Sequence, residues 1–230
     1  MTASPSTSRA DLARLIADDP GLTQAFELAR RDLSPDPGHD LAHALRVACA
    51  AVDIGKTLGV PAREAIAAAL LHDIVNVPKN HPDRARASEL CAAFAAEVLP
   101  GFGFDPDATQ RIARAIADHS FSRGAIPVSP LGDALQDADR LEALGVIGLM
   151  RCVSTGVLMG ARYFHDEDPW ARSRPLDDRA FSLDHFTTKL LGLPATMRTD
   201  AGRAEAQRRA TFLSHVMDEL GHELGVPRPS

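Results

Sequence analysis

Hydrophobic positions recur along most of this chain at spacings of three and four, the period of one helical face, and no stretch alternates with period two for long enough to predict a sheet. Ser8 or Asp11 caps a short helix carrying Leu12, Leu15 and Ile16, which Asp19-Pro20-Gly21 ends. A second helix is expected from Leu22 to Leu33, and SPDPGH (34–39) is loop, because two prolines and a glycine exclude helix. From Asp40 a long helix places Leu41, Leu45, Ala48 and Val52 on one face until Gly59-Val60-Pro61 breaks it. The next helix, 62–75, is apolar on almost every side from Ala65 to Leu71, as a central helix is, and Pro78 stops it.

Asp83 or Ser88 opens another amphipathic helix through Leu99, and one beginning at Asp105-Pro106 carries Ile112 and Ile116 and reaches His119. Residues 120–130 read as loop. Leu131 to Met159 is helical with an interruption at Gly145/Gly148, 164–182 is irregular and polar, and further helices are expected at 183–192 and 200–224. The prediction is an all-α fold with one helical domain over 21–225, a partly helical segment at 1–20 and a frayed tail at 226–230.

Composition changes this picture little. At 230 residues, with 45% hydrophobic and 24% charged positions, the chain resembles an ordinary globular protein. A formal net charge of -6 removes the basic footprint of a general nucleic-acid binder. Cys49, Cys91 and Cys152 are far apart and form no CxxC pair, so they read as buried small hydrophobes. The first twenty residues lack the apolar run of a secretory leader, and no later run reaches the ~18 apolar residues of a membrane span. The cytoplasm is the expected location, without membrane association.

The chemistry lies in a few polar residues within apolar surroundings. His72 and Asp73 directly follow AIAAALL, where an unpartnered polar pair costs several kcal/mol. A divalent cation is an efficient partner. Neighbouring residues on a helix point about 100° apart, so both reach one ion only if it sits between their directions. His43 from the preceding helix and Asp139, in QDADRLEAL (136–144), complete a set of two imidazoles and two carboxylates. That set suits Mn²⁺, Fe²⁺, Mg²⁺, Co²⁺ or Zn²⁺ without choosing among them. It leaves about two positions of an octahedral ion open for water and substrate.

HDLAHALRV (39–47), LLHDIVNVPKN (70–80), ADHSFS (117–122) and QDADRLEALGVIGL (136–149), in that order, resemble the HD-domain metal-dependent phosphohydrolases. The resemblance is to the small stand-alone bacterial branch associated with nucleotide hydrolysis, and DPW (168–170), LDD, LDHF, KLLGL (189–193) and MRTDAGR (197–203) extend it over residues 25–220. It implies a helical HD-type fold and metal ligands at His43, His72, Asp73 and Asp139, the last preferred over Asp137 because it directly precedes Arg140. It implies a divalent metal, Mn or Mg being favoured in use, with His119 available to a second ion.

Around such an ion, Lys79, His119 and Arg123 are candidates to meet phosphate, Asp73 to steer a proton from the attacking water, and His39 to touch substrate or help cap its helix. Asp40 reads as an N-cap, Asp118 as structural, and Arg140 as the partner of a carboxylate. The expected substrate is a small phosphorylated molecule, in first place a nucleotide, cleaved at a phosphomonoester or within a triphosphate; base and sugar are unspecified. Two competitors stand beside this. A di-iron oxygenase of the same fold needs a doubled HHD pattern, absent because residue 71 is leucine, and a metal-containing nucleotide sensor binds without turnover. Gly145, Gly148, Gly156 and Gly160 suit close helix approach within or between chains, which leaves the oligomeric state open.

Overall fold

Most helices begin where the sequence supplies a side-chain acceptor or a proline. The computed structural model describes residues 6–36, 38–77, 85–120 and 124–229. Among these, regular structure is helical, apart from an isolated bridge between Arg162 and Phe181. Ser8 caps α1 (Arg9–Ala17) by accepting from the Asp11 N–H, and the Asp11 carboxylate accepts from the Ser8 N–H in return. Asp19-Pro20 then starts α2 (Pro20–Asp32) two residues ahead of the expected Leu22, because Asp19 accepts from the Leu22 N–H and a proline loses nothing at the first helical position. Asp40 caps α3 (Leu41–Thr57) through the His43 N–H at 2.7 Å.

The central helix, α4 (Ala62–Leu71), is shorter than the predicted 62–75. The His72 side chain donates Nδ1–H to the Ala69 carbonyl at 2.7 Å, and the Ile74 N–H turns back to Leu71, so the chain leaves the helix in a tight turn. Asp83 and Pro78 lie outside the described residues. Ser88 is not a cap: it sits inside α5 (Ala87–Val98) and donates its hydroxyl to the Ala117 carbonyl at the end of α6 (Pro106–Asp118). A 3₁₀ turn at Leu99–Phe102 joins these two helices, and Asp105 caps the second.

The predicted run 131–159 divides into α7 (Pro130–Leu141) and α8 (Gly145–Leu158). Gly145 takes a φ of 69°, and a Cβ at 148 would stand 2.2 Å from the Ala143 carbonyl, so both glycines are required by the break. The helix expected at 183–192 becomes α9 (Ser182–Thr188) followed by a 3₁₀ stretch, Leu190–Thr196. Thr199 caps α10 (Asp200–Glu223).

The chain divides into two compact units, one ending at Asp139 and the other starting at Arg140. In the first, α4 is packed by α2, α3, α5 and α6, and every residue from Glu64 to Leu71 is buried. Glu64 accepts from Arg111 of α6 through both oxygens, at 2.6 and 3.0 Å, and Arg63 binds Asp19 at 2.7 Å, so α4 is tied on two sides.

In the second unit, α8 and the 3₁₀ stretch pack on α10, and α9 packs on both α8 and that stretch. Its irregular segment is held by a half-buried Arg174 paired with buried Asp184 at 2.5 Å, a Trp170 Nε1–H bond to the Val226 carbonyl, and the Asp168 carboxylate accepting from the Arg172 and Ser173 N–H groups. Cys49, Cys91 and Cys152 are not joined in disulfides; Cys91 is buried as expected, whereas Cys49 and Cys152 are half-buried. No single helix among the described residues is long and apolar enough to cross a membrane.

Candidate metal centre

The first unit converges on one spot. His43 lies in the first turn of α3, His72 and Asp73 in the turn that closes α4, His119 at the cap of α6, and Asp139 in the last turn of α7. His43 Nε2 stands 3.3 Å from His72 Nε2 and 3.5 Å from Asp139 Oδ1. Asp73 Oδ2 stands 3.4 Å from His72 Nε2 and 3.9 Å from His43 Nε2, and Asp139 Oδ1 stands 4.0 Å from His72 Nε2. Donor atoms of His43, His72 and Asp73 all lie within 4.8 Å of one another. His119 Nε2 approaches from the far side, 3.8 Å from Asp73 Oδ1.

The same local device aims two of the imidazoles. His72 donates Nδ1–H to the Ala69 carbonyl at 2.7 Å, and His119 donates Nδ1–H to the Ile116 carbonyl at 2.6 Å. In each case the acceptor lies three residues back in the helix that the histidine terminates. A carbonyl can only accept, so Nδ1 carries a proton in both rings, and in the neutral form of either ring Nε2 turns its lone pair into the cluster. The arrangement suits cation ligation.

Distances support this fit. Ligands about 2.1 Å from one ion stand about 3.0 Å apart when adjacent in an octahedron and about 4.2 Å apart when opposite. Five separations fall within that range at 3.3–4.0 Å: those among His43, His72 and Asp73, and those from Asp139 to each of the two histidines. The His43 and His72 side chains are each 1% exposed, while the Asp73 and Asp139 side chains keep 26% and 28% of their surface open.

Electrostatics favour ionised carboxylates. Burial pushes Asp73 up, but the imidazoles of His72, His119, His39 and His43 outweigh it and hold the group well below the ordinary carboxylate range. Burial likewise raises Asp139, and His43, His72 and His119 bring it down to below its usual value. Burial and the neighbouring His72 push His119 below the ordinary histidine value, against the pull of Asp73 and Asp139.

The remaining candidates are placed unevenly. His39 is not on α3 but in the loop before it, with its ring 6.2 Å from that of His43 and its Nδ1 2.8 Å from Asp36. Lys79 and Arg123 lie outside the described residues. Asp137 is fully buried, whereas Asp139 reaches the histidines. Asp118 accepts from Arg114 at 2.7 Å, and Arg140 donates to the Thr196 carbonyl at 2.6 Å.

One contributor escaped the sequence. Gln136, buried in α7, donates its amide to the carbonyls of Asp118 and Ala125 at 3.1 and 3.0 Å, fastening α7 to the end of α6 and so setting Asp139 against His119. Its only sequence signal is its place three residues before Asp139 in a polar run.

Comparison with known proteins agrees with this geometry. A family model for the HD domain matches residues 40–144, a span that includes every clustered side chain. The uncharacterized protein YpgQ of Bacillus subtilis is 31% identical over 191 residues, covering 81% of this chain and 85% of its own length. The crystal structure of YpgQ in complex with ADP matches with a TM-score of 0.68 at 28% identity, over 87% of this chain and 96% of that one. A predicted HD superfamily hydrolase from an uncultured Thermotogales bacterium matches with a TM-score of 0.64 at 26% identity, over 92% and 98% of the two chains. An HD-superfamily hydrolase from Bacillus thuringiensis gives 0.66 at 25% identity, over 93% and 98%. Matched along most of its length and through its histidine–aspartate cluster, the chain belongs to the HD-domain superfamily, among its hydrolases.

Proposed function

We propose that this chain is a divalent-metal-dependent phosphohydrolase acting on a nucleotide, with the ion held by His43, His72, Asp73 and Asp139. The observation that carries the reading is the donor set itself, two buried imidazoles and two partly open carboxylates with ligand-like spacings. Asp73 and Asp139 are held ionised, and together they would repel an anionic substrate. A cation between them reverses that sign, which favours a phosphate-processing site. The nucleotide part draws support from YpgQ, which binds ADP in its crystal structure.

When bound, a divalent ion supplies positive charge for phosphoryl oxygens and makes a water nucleophilic near neutral pH. The chain's own residues do the rest. The buried rings exclude water from beneath the reacting group, and the carboxylates at the mouth set the side from which phosphate enters. His119, neutral and with its Nδ1 proton engaged, offers a lone pair at Nε2. It accepts a proton from the attacking water or ligates a second ion, and it donates to a phosphate oxygen only after protonation. Asp73 Oδ1, 3.8 Å from that nitrogen, steers the proton. Lys79, Arg123 and His39 are assigned to the phosphates and the rest of the substrate.

The test is to purify the protein, measure bound metal, and screen nucleoside triphosphates, diphosphates and phosphomonoesters for phosphate or pyrophosphate release with added Mn²⁺, Mg²⁺, Co²⁺ or Zn²⁺. His72→Ala and Asp73→Ala are expected to lose metal and turnover together by more than the roughly 10–100-fold that changes outside the ligand shell cost. Undiminished turnover in both variants sinks the assignment. Folded wild-type protein that binds nucleotide in the presence of metal and never hydrolyses it is a sensor.

A further inference from the structure

Helix α5 carries none of the clustered histidines and aspartates, yet it bonds to the backbone beside two of the turns that do. Ser88 and Cys91 are buried and lie three residues apart, so they share one face of the helix at about 5–6 Å from each other. Ser88 donates its hydroxyl to the Ala117 carbonyl at 3.1 Å, two residues before His119. Cys91 Sγ accepts from the Val75 N–H at 3.4 Å and donates to the Val75 carbonyl at 3.8 Å, two residues after Asp73. The rings beyond these two tethers, His119 and His72, stand edge to face with centroids 5.0 Å apart.

The end of α6 concentrates such bonds. A helix leaves its last four carbonyls without a partner of its own. In α6, Ile116 accepts from the His119 ring, Ala117 from Ser88 and Asp118 from Gln136 of α7. Among the described residues of the first unit, the buried serine, threonine, asparagine and glutamine side chains are Ser88, Thr109 and Gln136, and two of these three finish on this one turn. A buried hydroxyl is costly unless it is bonded. In a helix reading ASELCAAFAAEV, alanine would fill position 88 at no such cost.

We propose that Ser88 and Cys91 are positioning residues of the metal centre, α5 acting as a bar that sets His119 at a fixed distance from the His72–Asp73 turn. The inference rests on the divalent-metal reading above. His72 and His119 each bond a carbonyl of their own helix, which orients either ring on that helix but does not fix one helix end against the other. The bar supplies that restraint, because it holds the backbone beside both. Ligand geometry tolerates an error of only about 0.5 Å, so slack at either tether reaches the ion.

The experiment is a calorimetric titration of Mn²⁺, and separately of Co²⁺, into the full chain freed of metal by chelation, with urea unfolding measured in parallel. Ser88→Ala and Cys91→Ala are each expected to weaken metal binding about tenfold, and Ser88→Thr, which keeps the hydroxyl, to recover most of it. Leu99→Val, a buried change just beyond α5, serves as the control: it is expected to lower the urea midpoint and leave metal affinity at the wild-type value. Wild type that binds the ion while Ser88→Ala and Cys91→Ala bind it as tightly overturns the proposal and leaves the metal reading standing. So does a loss of affinity in Leu99→Val equal to theirs, since affinity would then merely follow stability. Wild type that takes up neither ion removes the metal reading, and the proposal with it.

Discussion

Helices α4 and α8 are both strongly apolar, and they meet opposite fates. The first has only Ile66, Leu70 and Leu71 as large hydrophobes among its alanines, yet every residue from Glu64 to Leu71 is buried. The second carries Val146, Ile147, Leu149, Met150, Val153, Val157 and Leu158, and leaves much of that surface open. Small side chains make α4 a thin rod that α2, α3, α5 and α6 approach from all around. Bulk on α8 is met by α9 and α10 on its inner side. Burial is set by how many neighbours an element can gather, and hydrophobicity alone does not predict it. The difference bears on the site too, because a rod closed on all sides can end in a buried histidine, His72, with Asp73 half-buried beside it, as α4 does.

The largest effect expected from this contrast is in the core. Leu70→Ala should cost about 3 kcal/mol in urea unfolding, since no neighbour can collapse into the space. Met150→Ala should change stability by less than about 0.5 kcal/mol. Equal costs would mean that the outer face of α8 is covered within one chain, and the contrast would fail.

The inner side of α8 gives a sharper test. Gly148→Ala drives a Cβ to 2.2 Å from the Ala143 carbonyl, a backbone atom that cannot swing away. A loss of about 1–3 kcal/mol is expected, against near neutrality for Val146→Ala two residues earlier. A Gly148→Ala variant as stable as the wild type would show that the break before α8 can relax.

The smallest effect is chemical. Cys152 faces inward on α8, and burial pushes its thiol up to about 11. At pH 8 its alkylation, followed by mass spectrometry of the cysteine peptide, should run about a hundredfold slower in folded than in unfolded protein, and should accelerate with rising pH as thiolate forms. Folded-state alkylation at the unfolded rate would place Cys152 on the open side.

Much of the site could be read from residue types. His43, His72, Asp73 and Asp139 stand out in the sequence because polar groups inside apolar helices need a common partner, and the structure draws them together. Asp40 and Asp105 were legible as caps, because an acceptor preceding a helical pattern acts on its own next turn. The end of α4 was not legible. Periodicity runs on past Leu71, but the His72 ring takes the Ala69 carbonyl and closes the helix, a choice between two hydrogen bonds of similar local appeal. Gln136 was missed for a related reason: its partners, Asp118 and Ala125, lie 18 and 11 residues away.

The sequence by itself determined that the chain is helical, where most helices start, and which polar side chains fall among apolar neighbours, because helix period and caps act over a few residues. Tertiary structure decided that His72 and Asp73 sit in a turn and not on a helix, that His119 presents a lone pair, and that α8 shows an apolar face. The first two turn on a choice between local hydrogen bonds and the third on packing between groups distant in sequence, and both are resolved only when the chain packs.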